Sequence, residues 1–139
     1  MQVIDVMMGA IETVDADDSC QHAARMMRDL EVGCLVVAKG PEVEGILTDR
    51  DLVRLCMAEG HDFQKCKVGR HMTTPVFTVR PTTELDDALR MMHEQHVRRL
   101  PVLDEGRLVG MVSVSDVVRA LDAPVHELMQ ALETSLVTR

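Results

Sequence analysis

The chain has 139 residues and a mass of 15.5 kDa, with 46% hydrophobic residues, 27% charged residues and a formal charge of −8. That size and composition suit one domain, or two small halves sharing a core, with no need of disulfides or a structural metal. An acidic balance with no Trp, no Tyr and only Phe63 and Phe77 argues against nucleic acid, which is held by basic patches and aromatic stacking.

No apolar run approaches the roughly 18 residues that a membrane span requires. Residues 1–5 carry neither a basic nor an apolar leader segment, so no secretory signal is expected. Cys20, Cys34, Cys56 and Cys66 form no CxxC pair, and they read as reduced thiols of a cytoplasmic protein.

In chain order, a short β-branched strand is expected over Ile11–Val14. Asp17-Asp18-Ser19 signals a helix start, and Cys20, Ala23, Ala24 and Met27 form an apolar stripe at i, i+3, i+4 and i+7. Cys20 reads there as a small core hydrophobe. Leu35–Ala38 and Val43–Leu47, parted by the turn residues Lys39-Gly40-Pro41-Glu42, predict a hairpin. A helix follows from about Thr48 to Glu59.

After a linker over residues 60–69 the same series returns. A strand is expected over Val76–Val79, and Pro81-Thr82-Thr83 starts a helix, with Asp86 placed to complete a capping box on Thr83. Leu85, Ala88, Leu89 and Met92 form its stripe. Leu100–Leu103 and Leu108–Val112 predict a second hairpin around Asp104-Glu105-Gly106-Arg107, and the last helix of the series runs from Ser113 to Leu121. Beyond Asp122-Ala123-Pro124, the stripe Val125, Leu128, Met129, Leu132 predicts a tail helix that needs a covering surface.

The return is a true internal repeat. Shifted by 65 residues, Val3–Arg54 aligns on Val68–Arg119 without a gap. Identities include Met7 with Met72, Thr13-Val14 with Thr78-Val79, Ala23 with Ala88, and Arg25-Met26-Met27 with Arg90-Met91-Met92. Further along, Gly45 matches Gly110, Asp51 matches Asp116 and Val53-Arg54 matches Val118-Arg119. Two structurally equivalent β-α-β-β-α halves are therefore expected.

Several stretches carry a family resemblance: His71-Met72-Thr73-Thr74-Pro75 through Thr78-Val79, then Val97-Arg98-Arg99-Leu100-Pro101-Val102, then Gly110-Met111-Val112-Ser113-Val114-Ser115-Asp116. Together with Gly45-Ile46-Leu47-Thr48-Asp49-Arg50-Asp51 in the first half, they resemble a tandem pair of cystathionine β-synthase (CBS) domains, a Bateman module. The resemblance implies an α/β (α+β) fold of two repeats about a pseudo-twofold axis. The divisions would be residues 1–59, a linker 60–69, residues 70–121, and a tail helix 122–139.

It further implies clefts between the repeats that take AMP, ADP or ATP as a regulatory ligand, with S-adenosylmethionine as another. By position in the motif, Thr48 and Ser113 would lie near phosphate, while Asp51 and Asp116 would take the ribose hydroxyls. Vicinal hydroxyls donating to one carboxylate make strong charge-assisted hydrogen bonds, and a hydroxyl at a helix start lies where phosphate is favoured. Arg98 and Arg99 would reach phosphate in the second half, and Arg50 would compensate for their absence in the first, where Gly33 and Cys34 stand instead. Ser115, the counterpart of Arg50, and the strand residues Thr13 and Thr78 complete the candidate set.

The same Ser/Thr-x-x-Asp spacing is also that of a helix capping box. Output would be a change of shape or assembly acting on an unidentified partner protein, and the chain would be a homodimer. The alternative is a ligand-independent interaction adaptor. No nucleophile motif, phosphate loop or Rossmann glycine pattern is present, so no enzyme is expected. No metal site is expected either: His93 and His96, three apart, read as a solvated face, as do their counterparts Arg28 and Glu31.

Overall fold

A computed structural model describes residues 1–121 and 130–132. Most of the expected tail stripe, from Val125 to Met129, lies outside the described residues; Leu132 is helical and half exposed. Among the described residues, no helix is long and apolar enough to cross a membrane.

In the first repeat, β1 (Thr13–Val14) runs parallel to β2 (Cys34–Lys39), and β2 pairs antiparallel with β3 (Glu42–Thr48), giving a three-stranded sheet. Helix α1 (Cys20–Leu30) starts as its polar signal predicts, with the Ser19 hydroxyl accepting from the His22 N–H. Its stripe is buried at Cys20, Ala23 and Met27. After β3, helix α2 (Asp49–Asp51) passes into a π-helical stretch, Leu52–Met57, and the wide winding shows in the Ala58 N–H donating to the Val53 carbonyl at 2.8 Å. Helix α3 (Val68–His71) starts inside the stretch 60–69 that was expected to be linker.

The second repeat holds α4 (Leu85–Glu94), the pair β4 (Arg99–Asp104) and β5 (Arg107–Ser113), and α5 (Val114–Leu121). Glu105 and Gly106 turn the hairpin with φ of 51° and 80°, the left-handed pair whose twist suits a two-residue turn. The strand expected over Val76–Val79 is reduced to a parallel bridge between Val79 and Val102. One residue later the chain turns away, with the Arg80 N–H donating to the Thr83 hydroxyl. That bond also takes the Thr83 side chain out of the expected capping box, and α4 starts after Glu84 with no side-chain cap. His93 lies on α4, whereas His96 lies beyond its end at φ 55°, so the two share no helical face.

Two compact units result, and neither coincides with one repeat. One contains Met1–Ile11 with Phe77–Glu105 and the described residues from Val109 on; the other contains Glu12–Val76 with Gly106–Leu108. The opening residues of each repeat thus fold onto the sheet of the other. In the first unit, the Val3 N–H donates to the Thr83 carbonyl, Leu85 to Met1, and Met8 to Met111. In the second, 65 residues on, Val68 donates to Asp18, Cys20 to Cys66, and Thr73 to Ile46.

Each unit closes on its own apolar core. Val3, Val79, Leu85, Ala88, Met92, Leu100, Val102, Val112 and Val117 fill the first. Val14, Ala23, Met27, Leu35, Val37, Leu47, Leu52 and Val68 fill the second, together with three cysteines. Burying each of the larger aliphatic side chains contributes roughly 1.5–3 kcal/mol.

Candidate functional site

Both Ser/Thr-x-x-Asp endings form reciprocal caps. The Asp51 N–H donates to the Thr48 hydroxyl at 3.1 Å while the Thr48 N–H donates to the Asp51 carboxylate at 2.9 Å. Ser113 and Asp116 repeat this at 3.2 and 2.9 Å. Each pair satisfies helix-start donors that a β-strand cannot reach, and so marks where the strand ends and the helix begins.

Their surroundings differ in charge. The Val114 N–H donates to the Arg98 carbonyl at 3.0 Å, which fixes Arg98 beside the Ser113 box, and Arg98 and Arg99 are both exposed. The corresponding bond in the other unit runs from the Asp49 N–H to the Gly33 carbonyl at 2.9 Å. There Gly33 leaves room for the Asp49 carboxylate: a Cβ at Gly33 would lie 3.0 Å from Asp49 Oδ2. The first box is therefore flanked by a second carboxylate, with the exposed Arg50 its neighbouring cation. Asp116 faces one further cation, Arg119, at 3.6 Å. Thr13 pairs with Val36, two residues along β2 from Cys34, which pairs with Thr48; Thr13, Thr78 and Ser115 are half-buried.

A second constellation lies in the Glu12–Val76 unit. The Sγ atoms of Cys20, Cys56 and Cys66 and a ring nitrogen of His71 lie within 4.8 Å of one another, and all four residues are buried. Cys20 is the first residue of α1, Cys56 belongs to the π-helical stretch and His71 ends α3. Cys66 sits in a tight loop whose carbonyls cap α1: Cys66 accepts from the Cys20 N–H at 2.8 Å and Phe63 from the Gln21 N–H at 3.0 Å. Cys66 Sγ is 2.8 Å from His71 Nε2, and the half-buried His61 stacks on the His71 ring with centroids 5.3 Å apart.

Burial pushes the Cys20 thiol up to about 12, and the sulfurs of Cys66 and Cys56 add to the shift. Burial likewise raises Cys56. Desolvation holds His71 below the ordinary imidazole range, aided by His61 and Arg70 and opposed by Asp51. His71 is thus held as a neutral imidazole, which can lend a lone pair.

Local pattern places Cys20 in the core but links none of these four residues. Their separation along the chain hides them, because the loop of residues 60–69 and the folding-back of α3 are tertiary facts. A usable signal existed in the repeat. The counterparts of Cys20, Cys56, Cys66 and His71 are Leu85, Leu121, Met1 and Val6, all apolar.

The CBS domain model matches the chain twice, at residues 3–58 and 68–123, one match on each repeat. The chain belongs to the CBS domain family. As a CBS pair it is a regulatory module. It is 35% identical over 114 residues to a CBS domain-containing protein of Bacillus subtilis, covering 82% of this chain and 81% of that protein. Its fold is similar to the crystal structure of Hypoxic Response Protein I with two coordinated zinc ions, at 31% identity and a TM-score of 0.80, over 87% of this CBS pair and 99% of that chain. A CBS domain pair in complex with 5′-methylthioadenosine and S-adenosyl-L-methionine shares the fold at 23% identity and a TM-score of 0.77, over 86% and 94% of the two chains.

Proposed function

We propose that this CBS pair is a sensor of adenosine nucleotides, with its stronger site at the Ser113–Asp116 box. The carrying observation is the pairing of that box with Arg98, held beside it by the bond to Val114. The Asp116 carboxylate supplies an acceptor for the ribose hydroxyls. Ser113 and the start of α5 face phosphate, and Arg98 and Arg99 supply the charge that phosphate needs. Thr78 and Ser115 complete the second site, and Thr48, Arg50, Asp51 and Thr13 form a weaker first site, because Asp49 adds negative charge there.

AMP, ADP and ATP fit this chemistry, and S-adenosylmethionine shares its adenosine moiety. Binding would act by differential affinity for two shapes or assemblies, which a partner protein reads. The assembly is a homodimer on this reading, since Val53, Leu55 and Met57 leave apolar side chains exposed on the π-helical stretch.

Calorimetric titration of the purified chain with AMP, ADP, ATP and S-adenosylmethionine tests the reading. Saturable binding of one of them, weakened by Arg98→Ala, supports it. Absence of binding at millimolar concentration overturns it and leaves the boxes as helix caps in an interaction adaptor. Light scattering that returns the 15.5 kDa monomer mass would overturn the dimer.

A further inference from the structure

We propose that Cys20, Cys56, Cys66 and His71 bind one zinc ion, a site separate from the nucleotide boxes. Three sulfurs and one imidazole nitrogen within 4.8 Å of one another enclose a space for a single ion. Around tetrahedral zinc, with Zn–S about 2.3 Å and Zn–N about 2.0 Å, ligand atoms stand roughly 3.5–3.8 Å apart, so small side-chain rotations that open the 2.8 Å Cys66–His71 contact and draw in the wider pairs reach that geometry. Soft thiolates with one imidazole select zinc over the hard cations magnesium and calcium, which prefer oxygen. Four protein ligands, all buried, leave no open position, which is the pattern of a structural rather than a catalytic centre.

The chemistry balances without a redox partner. Zinc displaces one proton from each of three thiols and accepts the lone pair of His71, leaving a centre of net charge −1. Arg70, next to His71 in α3, is the cation whose field reaches both Cys56 and His71. Without the ion, three buried thiols crowd a core corner in which the other unit places Leu85 and Val6. The backbone frame is shared: Leu85 donates to Met1 as Cys20 donates to Cys66. An apolar filling is therefore compatible with this frame, and the donor set is a departure from it. The departure coincides with the π-helical winding that carries Cys56, whereas Leu121, its counterpart, lies in the α-helix α5. Bound zinc would fasten the start of α1, the π-helical stretch, the loop of residues 60–69 and α3 to one point.

The test uses the full chain, expressed with zinc in the medium and purified without chelator, with zinc measured by plasma mass spectrometry. One zinc per chain is expected. His71→Val, which installs the apolar counterpart, and Cys66→Ala should each lose it, while Cys34→Ser, outside the quartet, should keep it. Far-ultraviolet circular dichroism confirms that each variant is folded. Replacement by cobalt should give an intense thiolate charge-transfer band in the near-ultraviolet, a region left clear by the absence of Trp and Tyr, and the band should vanish in folded His71→Val and Cys66→Ala. A folded wild-type chain that neither retains zinc nor develops the cobalt band would overturn the proposal. So would metal retained undiminished by both ligand variants, which would place it elsewhere. Neither outcome depends on whether a nucleotide binds.

Discussion

The two units share one backbone plan and differ in what fills two matching places. At the corner where a repeat's opening residues meet the first helix, one unit uses Leu85 and Val6 and the other uses Cys20, Cys66 and His71. At the strand-to-helix box, one unit sets Arg98 beside Ser113 and Asp116, and the other sets Gly33 and Asp49 beside Thr48 and Asp51. Duplication preserves the main-chain hydrogen bonds because they define the fold. It leaves side chains free to diverge wherever an apolar residue, a thiol or a cation can each be accommodated. Chemistry is therefore best sought where equivalent positions disagree.

The largest expected effect separates the two corners. Removing metal with a strong chelator should lower the melting temperature of the chain by about 10 °C or more, because the binding free energy of a buried ion is folding free energy. The same chelator should leave the melting of His71→Val unchanged. Hydrogen exchange should show the loss of protection in Glu12–Val76; equal loss in both units would erase the distinction between the corners.

Next in size is a contrast between equivalent glycines. A Cβ at Gly110 would stand 2.7 Å from the backbone oxygen of Met8, whereas at Gly45 the clash, also 2.7 Å, is with the sulfur of Met72. A methionine side chain can swing aside and a backbone carbonyl bonded to Met111 cannot. Gly110→Ala should cost about 2–3 kcal/mol and Gly45→Ala less than about 1 kcal/mol, read from urea denaturation. Equal costs would show that the two chain crossings are equally compliant.

The boxes provide the third test. A nucleotide at a hundredfold excess over its Kd stabilises the fold by about 2.7 kcal/mol. Asp116→Ala should remove most of that ligand-induced shift and Asp51→Ala little of it, each measured against its own ligand-free melting point. Equal losses would mean that the arginines confer no preference. The smallest effect is one on which the units should agree: Thr48→Ala and Ser113→Ala should each cost about 1 kcal/mol without ligand, because both hydroxyls cap a helix in the same way.

Much of this was legible before the fold was known. The buried stripes of α1 and α4, both hairpins and both capping endings follow from local periodicity and short-range hydrogen bonding. Local signals failed where a nearby competitor intervened. Thr83 had the spacing of a capping box, but its hydroxyl took the Arg80 N–H, and His96 fell off the helix because the chain turned left-handed there.

By itself the sequence determined the duplication, the order of elements in each half and the family, since these rest on side-chain pattern and register along the chain. Tertiary structure alone decided which unit each repeat's opening residues join, and so which distant residues meet. Cys20 and His71 lie on segments that no periodicity connects; they meet because Val68 bonds to Asp18 and Cys66 to Cys20, folding α3 back onto the first sheet. Long-range contacts of that kind depend on which surface is left to be covered once each sheet has formed, a property of the assembled core that short-range pattern does not carry.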